Sequence, residues 1–191
     1  MTSIDLAVVL VSLVAGQVPG QPPEPPGELA AKQSAARTLS EDLVARYLVF
    51  YDHLAATAPP QGEGEANDRA QEQAIRAAAR KAGIPEIQLE GLSLLIQEFL
   101  QPRMQQVQRE AMAGQVDQQI KELEARGEKP PANLVAQREA LKKPPAGGGP
   151  SLGAFEKKYG KDPTKILVRN QEKLFAGYQA VVARAMGAAV R

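Results

Sequence analysis

Apolar residues recur every three or four positions along most of this 191-residue chain, with polar residues between them. That spacing places apolar side chains on one face of an α-helix. No segment alternates apolar and polar residues with the period of two that a half-buried strand requires. The pattern therefore predicts an all-α fold, a bundle of five or six helices. Its central core helix should follow Pro85 and carry Leu89, Leu92, Leu95, Ile96, Phe99 and Leu100.

Several helix ends are marked by residues that favour them. Thr38 has the capping-box spacing to Glu41, and Ser40 is an alternative cap, for a helix over residues 40–56. The next helix is predicted from Asp68 to Gly83, because glycine tolerates the positive φ that often ends a helix.

Farther along, Pro102 interrupts an apolar pattern that includes Met104, Val107 and Met112. The sequence leaves open whether Pro102 kinks one helix or separates two. The pair Asp162-Pro163 predicts the cap and first turn of the last helix, whose apolar stripe should extend to Met186.

The chain begins with a different pattern. Residues 6–15 (LAVVLVSLVA) are apolar except for Ser12. This run is too short to span a hydrocarbon core of about 30 Å. It does suit the apolar region of a secretory signal. Val14 and Gly16 occupy the small-residue positions that a signal peptidase reads, which predicts cleavage before Gln17. The proline-rich residues after it predict a semi-rigid spacer.

Val14-Ala15-Gly16 resembles the end of a bacterial lipoprotein signal, and the chain in this respect resembles exported, lipoprotein-like helical proteins of bacteria. In that family the next residue is the cysteine that receives the lipid. Here it is Gln17, which cannot be acylated. The resemblance implies a periplasmic or secreted protein that meets the membrane only transiently, through its signal. Burial of the apolar N-terminus in the bundle of a cytosolic protein remains the alternative.

These patterns divide the chain into five predicted parts. The first sixteen residues are the signal peptide, and residues 17–27 are the spacer. A helical bundle follows over 28–143, a Pro/Gly linker over 144–150, and C-terminal helices over 151–191 that pack on the same bundle.

The amino-acid composition excludes several kinds of catalytic and binding site. The chain has no cysteine and one histidine, which argues against thiolate or zinc chemistry and against a cysteine nucleophile. A net charge of +1 supplies no strong basic field for a nucleic acid.

Three local features of the sequence are candidate sites. His53 follows Asp52, but no glycine-flanked serine nucleophile accompanies it, so a surface or packing role is favoured. The acidic loop 62–68 lacks the ligand spacing of an EF-hand, and helix capping is favoured there. Gly147-Gly148-Gly149 lacks the Gly-Lys-Ser/Thr of a phosphate loop. The sequence therefore predicts no catalytic residue, no cofactor and no metal, and hence a non-enzymatic protein.

Charge is unevenly placed along the chain. From Ser151 onward there are eight basic residues and three acidic ones. A candidate patch for an anionic partner comprises Lys157, Lys158, Lys161, Lys165 and Arg169. Packing of this basic region beside the acidic N-terminal helices is the alternative, and the favoured one.

The segment over residues 103–126 has a glutamine-rich polar face and two methionines in its apolar stripe, which resembles small periplasmic helical chaperones. It could equally form a homo-oligomer seam, and an ordinary bundle helix whose apolar stripe is core is the favoured interpretation. The predicted function is an exported, non-enzymatic helical-bundle protein that acts through contacts with a protein partner, in the envelope or outside the cell. A cytosolic helical adaptor or assembly component and a periplasmic chaperone-like protein are the alternatives.

Overall fold

The computed structural model describes residues 26–60, 64–142 and 151–187, of which 87% are helical, with no strand among them. This confirms the all-α prediction. The described residues form seven helices, where five or six were predicted. They are α1 (Pro26–Thr38), α2 (Glu41–Thr57), α3 (Glu65–Ala82), α4 (Glu86–Ala125), α5 (Ala132–Lys142), α6 (Leu152–Tyr159) and α7 (Lys161–Ala185). The predicted signal peptide, the linker and all of the spacer except Pro26 and Gly27 lie outside the described residues. Those two residues open α1 and so do not belong to a non-helical spacer.

The helices fall into two compact units. One takes in the chain up to Leu100 together with the chain from Leu152, and the other runs from Gln101 to Ser151. The division lies inside α4, which continues through Pro102. Pro102 therefore does not separate two helices, although its ring nitrogen cannot donate the hydrogen bond that the carbonyl of Glu98 would otherwise accept.

The first half of α4 supplies much of the core of the first unit. All six large apolar residues predicted for this helix are buried, and four of them are completely inaccessible to solvent: Leu92, Leu95, Ile96 and Leu100. Apolar burial of this extent is the main stabilising contribution to a bundle of this kind. The prediction of a central core helix is confirmed.

The N-terminus of α2 is fixed by a side-chain cap. Ser40 has an extended backbone, and its hydroxyl accepts a hydrogen bond of 3.1 Å from the amide of Leu43. The hydroxyl of Thr38 instead donates to the carbonyls of Ser34 and Ala35 at the end of α1. Of the two predicted caps, Ser40 is therefore the one in use.

Both ends of α3 are set by glycines at positive φ. The helix begins at Glu65, three residues before the predicted start at Asp68, because Gly64 at φ 102° already turns the chain into it. It ends at Gly83, as predicted, with φ 66°. The amide of Ile84 bonds to the carbonyl of Ala79 at 3.0 Å, which satisfies a carbonyl at the helix end.

α7 runs alongside α2 in the same direction. Asn170 on α7 donates to Glu41 at the start of α2, and Arg184 near the end of α7 donates to the carbonyl of Ala58 just past the end of α2. Between these points the backbone of α7 lies close to the side chain of Tyr51 on α2. A Cβ on Gly177 would lie 2.7 Å from Cδ2 of Tyr51, a ring that is itself buried.

The start and end of α7 differ from the prediction. Gly160, at φ 99°, is the N-cap residue and Lys161 is the first helical residue, so Asp162 lies in the first turn and is not the cap. The helix ends at Ala185, and Met186 is 72% exposed. Met186 therefore does not extend the apolar stripe, since the chain has left the helix before reaching it.

The second unit is a helical hairpin with a thin core. Val116 and Ile120 on α4 are its buried large apolar residues, whereas α5 has no buried residue. Arg109 on α4 donates to the carbonyls of Ala140 and Leu141 at the end of α5. Met112, predicted in the apolar stripe, is 41% exposed.

Candidate functional site

The five residues of the predicted basic patch lie on two helices. Lys157 and Lys158 are at the end of α6, and the other three follow after Gly160 on α7. Lys161, Lys165 and Arg169 are exposed and spaced by four residues, so they lie on one face of α7.

Two members of the predicted patch are held by carboxylates of the bundle. Lys158 lies 2.9 Å from Oε1 of Glu98. Arg169 lies 3.5 Å from Oε1 of Glu41, and both of these side chains are largely exposed. The five residues are close in sequence, but in the structure they do not form one free cationic patch.

The remaining three lysines are exposed, and no described carboxylate lies within 4.0 Å of Lys157, Lys161 or Lys165. Val168 lies seven residues after Lys161 and three after Lys165, on the same side of α7, and is 42% exposed. We call Lys161, Lys165 and Val168 the lysine face. It combines charge with an exposed apolar side chain.

Glu98 on α4 is the centre of an ionic cluster that the sequence did not predict. Its Oε2 lies 3.1 Å from the ammonium of Lys32 on α1 and accepts a 2.8 Å hydrogen bond from the hydroxyl of Tyr159 on α6. Its Oε1 accepts a 2.9 Å bond from Lys158, whose ammonium also lies 5.1 Å from the centre of the Tyr159 ring. We call these four residues the Glu98 cluster. It joins three helices.

The ion pair between Lys32 and Glu98 is the most buried part of the cluster. The side chains of Lys32 and Glu98 are only 8% and 11% exposed, whereas that of Lys158 is 31% exposed. A charge in such a place needs a close counter-charge and further hydrogen bonds. Glu98 has three donors on its two oxygens, an arrangement that suits a structural tie between helices.

A signal for this cluster was present in the sequence. Lys32 lies one helical turn before Ala35 and Ala36, on the apolar face of α1, and Glu98 interrupts the most apolar helix of the chain. A charged residue at a core position predicts a buried partner. The partner itself could not be named, because it lies more than sixty positions away along the chain.

A second buried polar group joins α2 to α4. The hydroxyl of Tyr47 donates to Oγ of Ser93 at 3.0 Å, and the rings of Tyr47 and Tyr51 meet edge to face at 4.7 Å. Burial raises the pKa of Tyr47 to about 12 and raises the pKa of Tyr51 well above its ordinary value of 10.0. Burial also raises the pKa of Tyr178 on α7.

These tyrosines predict that the fold loses stability in alkali. A phenol whose pKa is higher in the folded than in the unfolded chain stabilises the fold fully below pH 10. That contribution falls as the pH rises from about 10 towards the folded pKa of Tyr47, about 12. Denaturant unfolding at increasing pH should show this loss of stability. Tyrosinate absorbance should appear at the same unfolding transition, as the buried phenols become exposed and ionise. In Tyr51→Phe the loss should be shallower, and an unchanged slope would contradict the assignment.

The structure does not place His53 or the described residues of the acidic loop 62–68 in a cluster of candidate catalytic or metal-binding side chains. His53 is half-buried, and its backbone carbonyl accepts a 2.7 Å bond from Thr57. Glu65 and Asp68, from the acidic loop, lie in the first turn of α3, where carboxylates suit the helix dipole; residues 61–63 of that loop lie outside the described residues. Within the described ranges, no group of three or more Asp, Glu or His side chains could hold a metal ion.

No helix in the described part of the chain is both long and apolar enough to cross a membrane. Comparison with models of protein families, with curated proteins and with solved structures finds no match to this chain.

Proposed function

We propose that this protein is an exported, non-enzymatic helical-bundle protein that acts through protein–protein contacts. The observation that carries the contact part is the lysine face. Lys161 and Lys165 are exposed there beside Val168, and no described carboxylate within 4.0 Å neutralises either lysine. Such a surface fits an acidic protein segment that also offers an apolar side chain for Val168.

The helix dipole supports this reading of Lys161. A cation in the first turn of a helix faces the positive end of the dipole, which lowers the stability of the helix by a few tenths of a kcal/mol or more. Lys161 is the first residue of α7, and Gly160 before it provides no side-chain cap. Asp162 already provides one carboxylate in this turn, and acidic side chains from a partner would add to it.

A protein partner fits the lysine face better than a membrane surface does. Lysines near an anionic bilayer contribute about 1 kcal/mol each, and stable attachment usually needs a longer basic run or an inserted apolar face. The large apolar residues of α7 are mostly turned into the bundle, with Leu167, Leu174, Phe175 and Val181 buried.

The export part rests on the first residues of the sequence. The apolar run over residues 6–15 and the small residues Val14 and Gly16 match a cleavable signal, and Gln17 removes the lipid anchor. Export would place the helical domain in the periplasm or outside the cell, behind a proline-rich spacer.

A photo-crosslinking amino acid at position 168 tests the contact part in the producing cells. We expect a discrete adduct with a second protein from position 168, and none from position 73, a similarly exposed site on α3. The double variant Lys161→Glu/Lys165→Glu should remove the adduct, whereas Lys161→Arg/Lys165→Arg should keep it. No adduct, or the same adducts from both positions, would contradict the proposal.

A further inference from the structure

We propose that α1 and α6 form a single opening unit, coupled through the carboxylate of Glu98, that detaches from α4 as one piece. The inference rests on the Glu98 cluster and does not depend on the function proposed above. One carboxylate on α4 binds Lys32 from α1 and both Lys158 and Tyr159 from α6. Loss of either helix would expose Glu98 to water, and the higher dielectric would weaken its bonds to the other helix.

Besides the Glu98 cluster, each helix is attached through a few buried side chains. α1 buries mainly alanines, Ala35 and Ala36, which remove little apolar surface from water. α6 has only eight residues, of which Phe155 and Tyr159 are buried. The bonds to Glu98 therefore add to a small apolar attachment on α1 and to two buried aromatic rings on α6.

The chain has suitable pivots beside each helix. α1 is joined to α2 by Leu39 and Ser40 alone, and α6 is joined to α7 by Gly160 at φ 99°. Rotation at these points would move both helices without disturbing the contacts between α2 and α7. Segments with few buried apolar contacts open at lower free energy than the core of the same protein.

Opening would uncover apolar surface of α4. The ring of Phe99 meets that of Phe155 at 5.4 Å, and Gly91 lies directly beneath the backbone of Ala31. Both places are buried in the closed bundle. The Glu98 cluster thus controls whether this side of α4 faces water.

Native-state hydrogen exchange of the full chain tests the coupling, with Lys32→Met as the main variant. Methionine fills a similar volume and leaves Glu98 its bonds to Lys158 and Tyr159. In the unmodified protein, amides of α1 and α6 should exchange through one opening, faster than amides of α2 and α7. Lys32→Met should speed exchange in α1 and in α6 by a common factor of at least about tenfold. Lys158→Met should act on both helices in the same way, by a smaller factor.

Arg69→Met is the matched control, because Arg69 forms an exposed ion pair with Glu65 on α3, away from the cluster. It should leave exchange in α1 and α6 unchanged. Faster exchange in α1 alone after Lys32→Met would show that the two helices open independently and would overturn the proposal. Equal exchange of α1, α6 and the core amides would overturn it as well, since no separate unit would then exist.

Discussion

Replacing Glu98 with alanine is expected to lower the free energy of unfolding by about 3 kcal/mol, the low end of what breaking a buried ion pair costs. The reason is the burial of Lys32, whose side chain is only 8% exposed and would lose the carboxylate 3.1 Å away. Lys158 would lose its partner too, but with a side chain 31% exposed it can turn to water. Urea unfolding followed by circular dichroism measures the change.

Glu122→Ala is the control for this change, because Glu122 is an exposed glutamate of the same helix that accepts a hydrogen bond from the neighbouring Gln118. Its effect should stay within about 0.5 kcal/mol. The pair Lys32→Met and Glu98→Leu should together recover much of the stability lost in Glu98→Ala, since well-packed apolar residues often replace a buried ion pair without loss. Equal effects of Glu98→Ala and Glu122→Ala would show that the cluster does not stabilise the fold.

Replacing Gly91 with alanine is expected to lower the free energy of unfolding by about 2 kcal/mol, although alanine is the better helix former by about 1 kcal/mol. A Cβ at this position would lie 2.5 Å from the carbonyl oxygen and 3.0 Å from the carbonyl carbon of Ala31. These are backbone atoms, so no side chain can turn away and α1 must shift as a whole. The shift would also draw Lys32, the next residue, away from Glu98.

Gly114→Ala, in the same helix, is expected to change the stability in the opposite direction. A Cβ at Gly114 meets no atom within 4 Å, so only the gain in helix propensity remains. The helix should become more stable, by up to about 1 kcal/mol. Thermal unfolding of both variants checks the opposite signs. A stabilised Gly91→Ala protein would mean that α1 does not lie as close to α4 as the structure shows.

The helical architecture could be predicted because its signals are local. Ser40 caps α2 through the amide three residues ahead, and Gly83 ends α3 through its own backbone conformation. The burial of Leu92 and Ile96 follows from the apolar spacing within a single helix. Each of these features depends on a few neighbouring residues, which a sequence displays directly.

Some boundaries were wrong because two local signals competed. Asp162 and Gly160 both favour the start of α7, and the positive φ available to glycine makes Gly160 the cap. At α3 the same freedom at Gly64 moved the helix start ahead of Asp68.

The Glu98 cluster and the close approach at Gly91 could not be predicted, since both join residues that are distant in the chain. Lys32 and Glu98 meet only because α1 lies across α4 with an alanine face that admits it closely. The charge pattern allowed two interpretations of Lys158 and Arg169: a surface for an anionic partner, or packing beside the acidic N-terminal helices, which was favoured. Their binding to Glu98 and Glu41 depends on tertiary packing that spacing does not reveal.

The most direct test of an exported contact protein is the mass of the chain in each cell fraction after expression from Met1. Cleavage before Gln17 predicts a periplasmic or secreted species that begins at that residue, with loss of ammonia where the new terminal glutamine cyclises. Substituting Gly16 with a bulky residue should block its formation. A chain that retains residues 1–16 and stays in the cytosolic fraction would contradict the account.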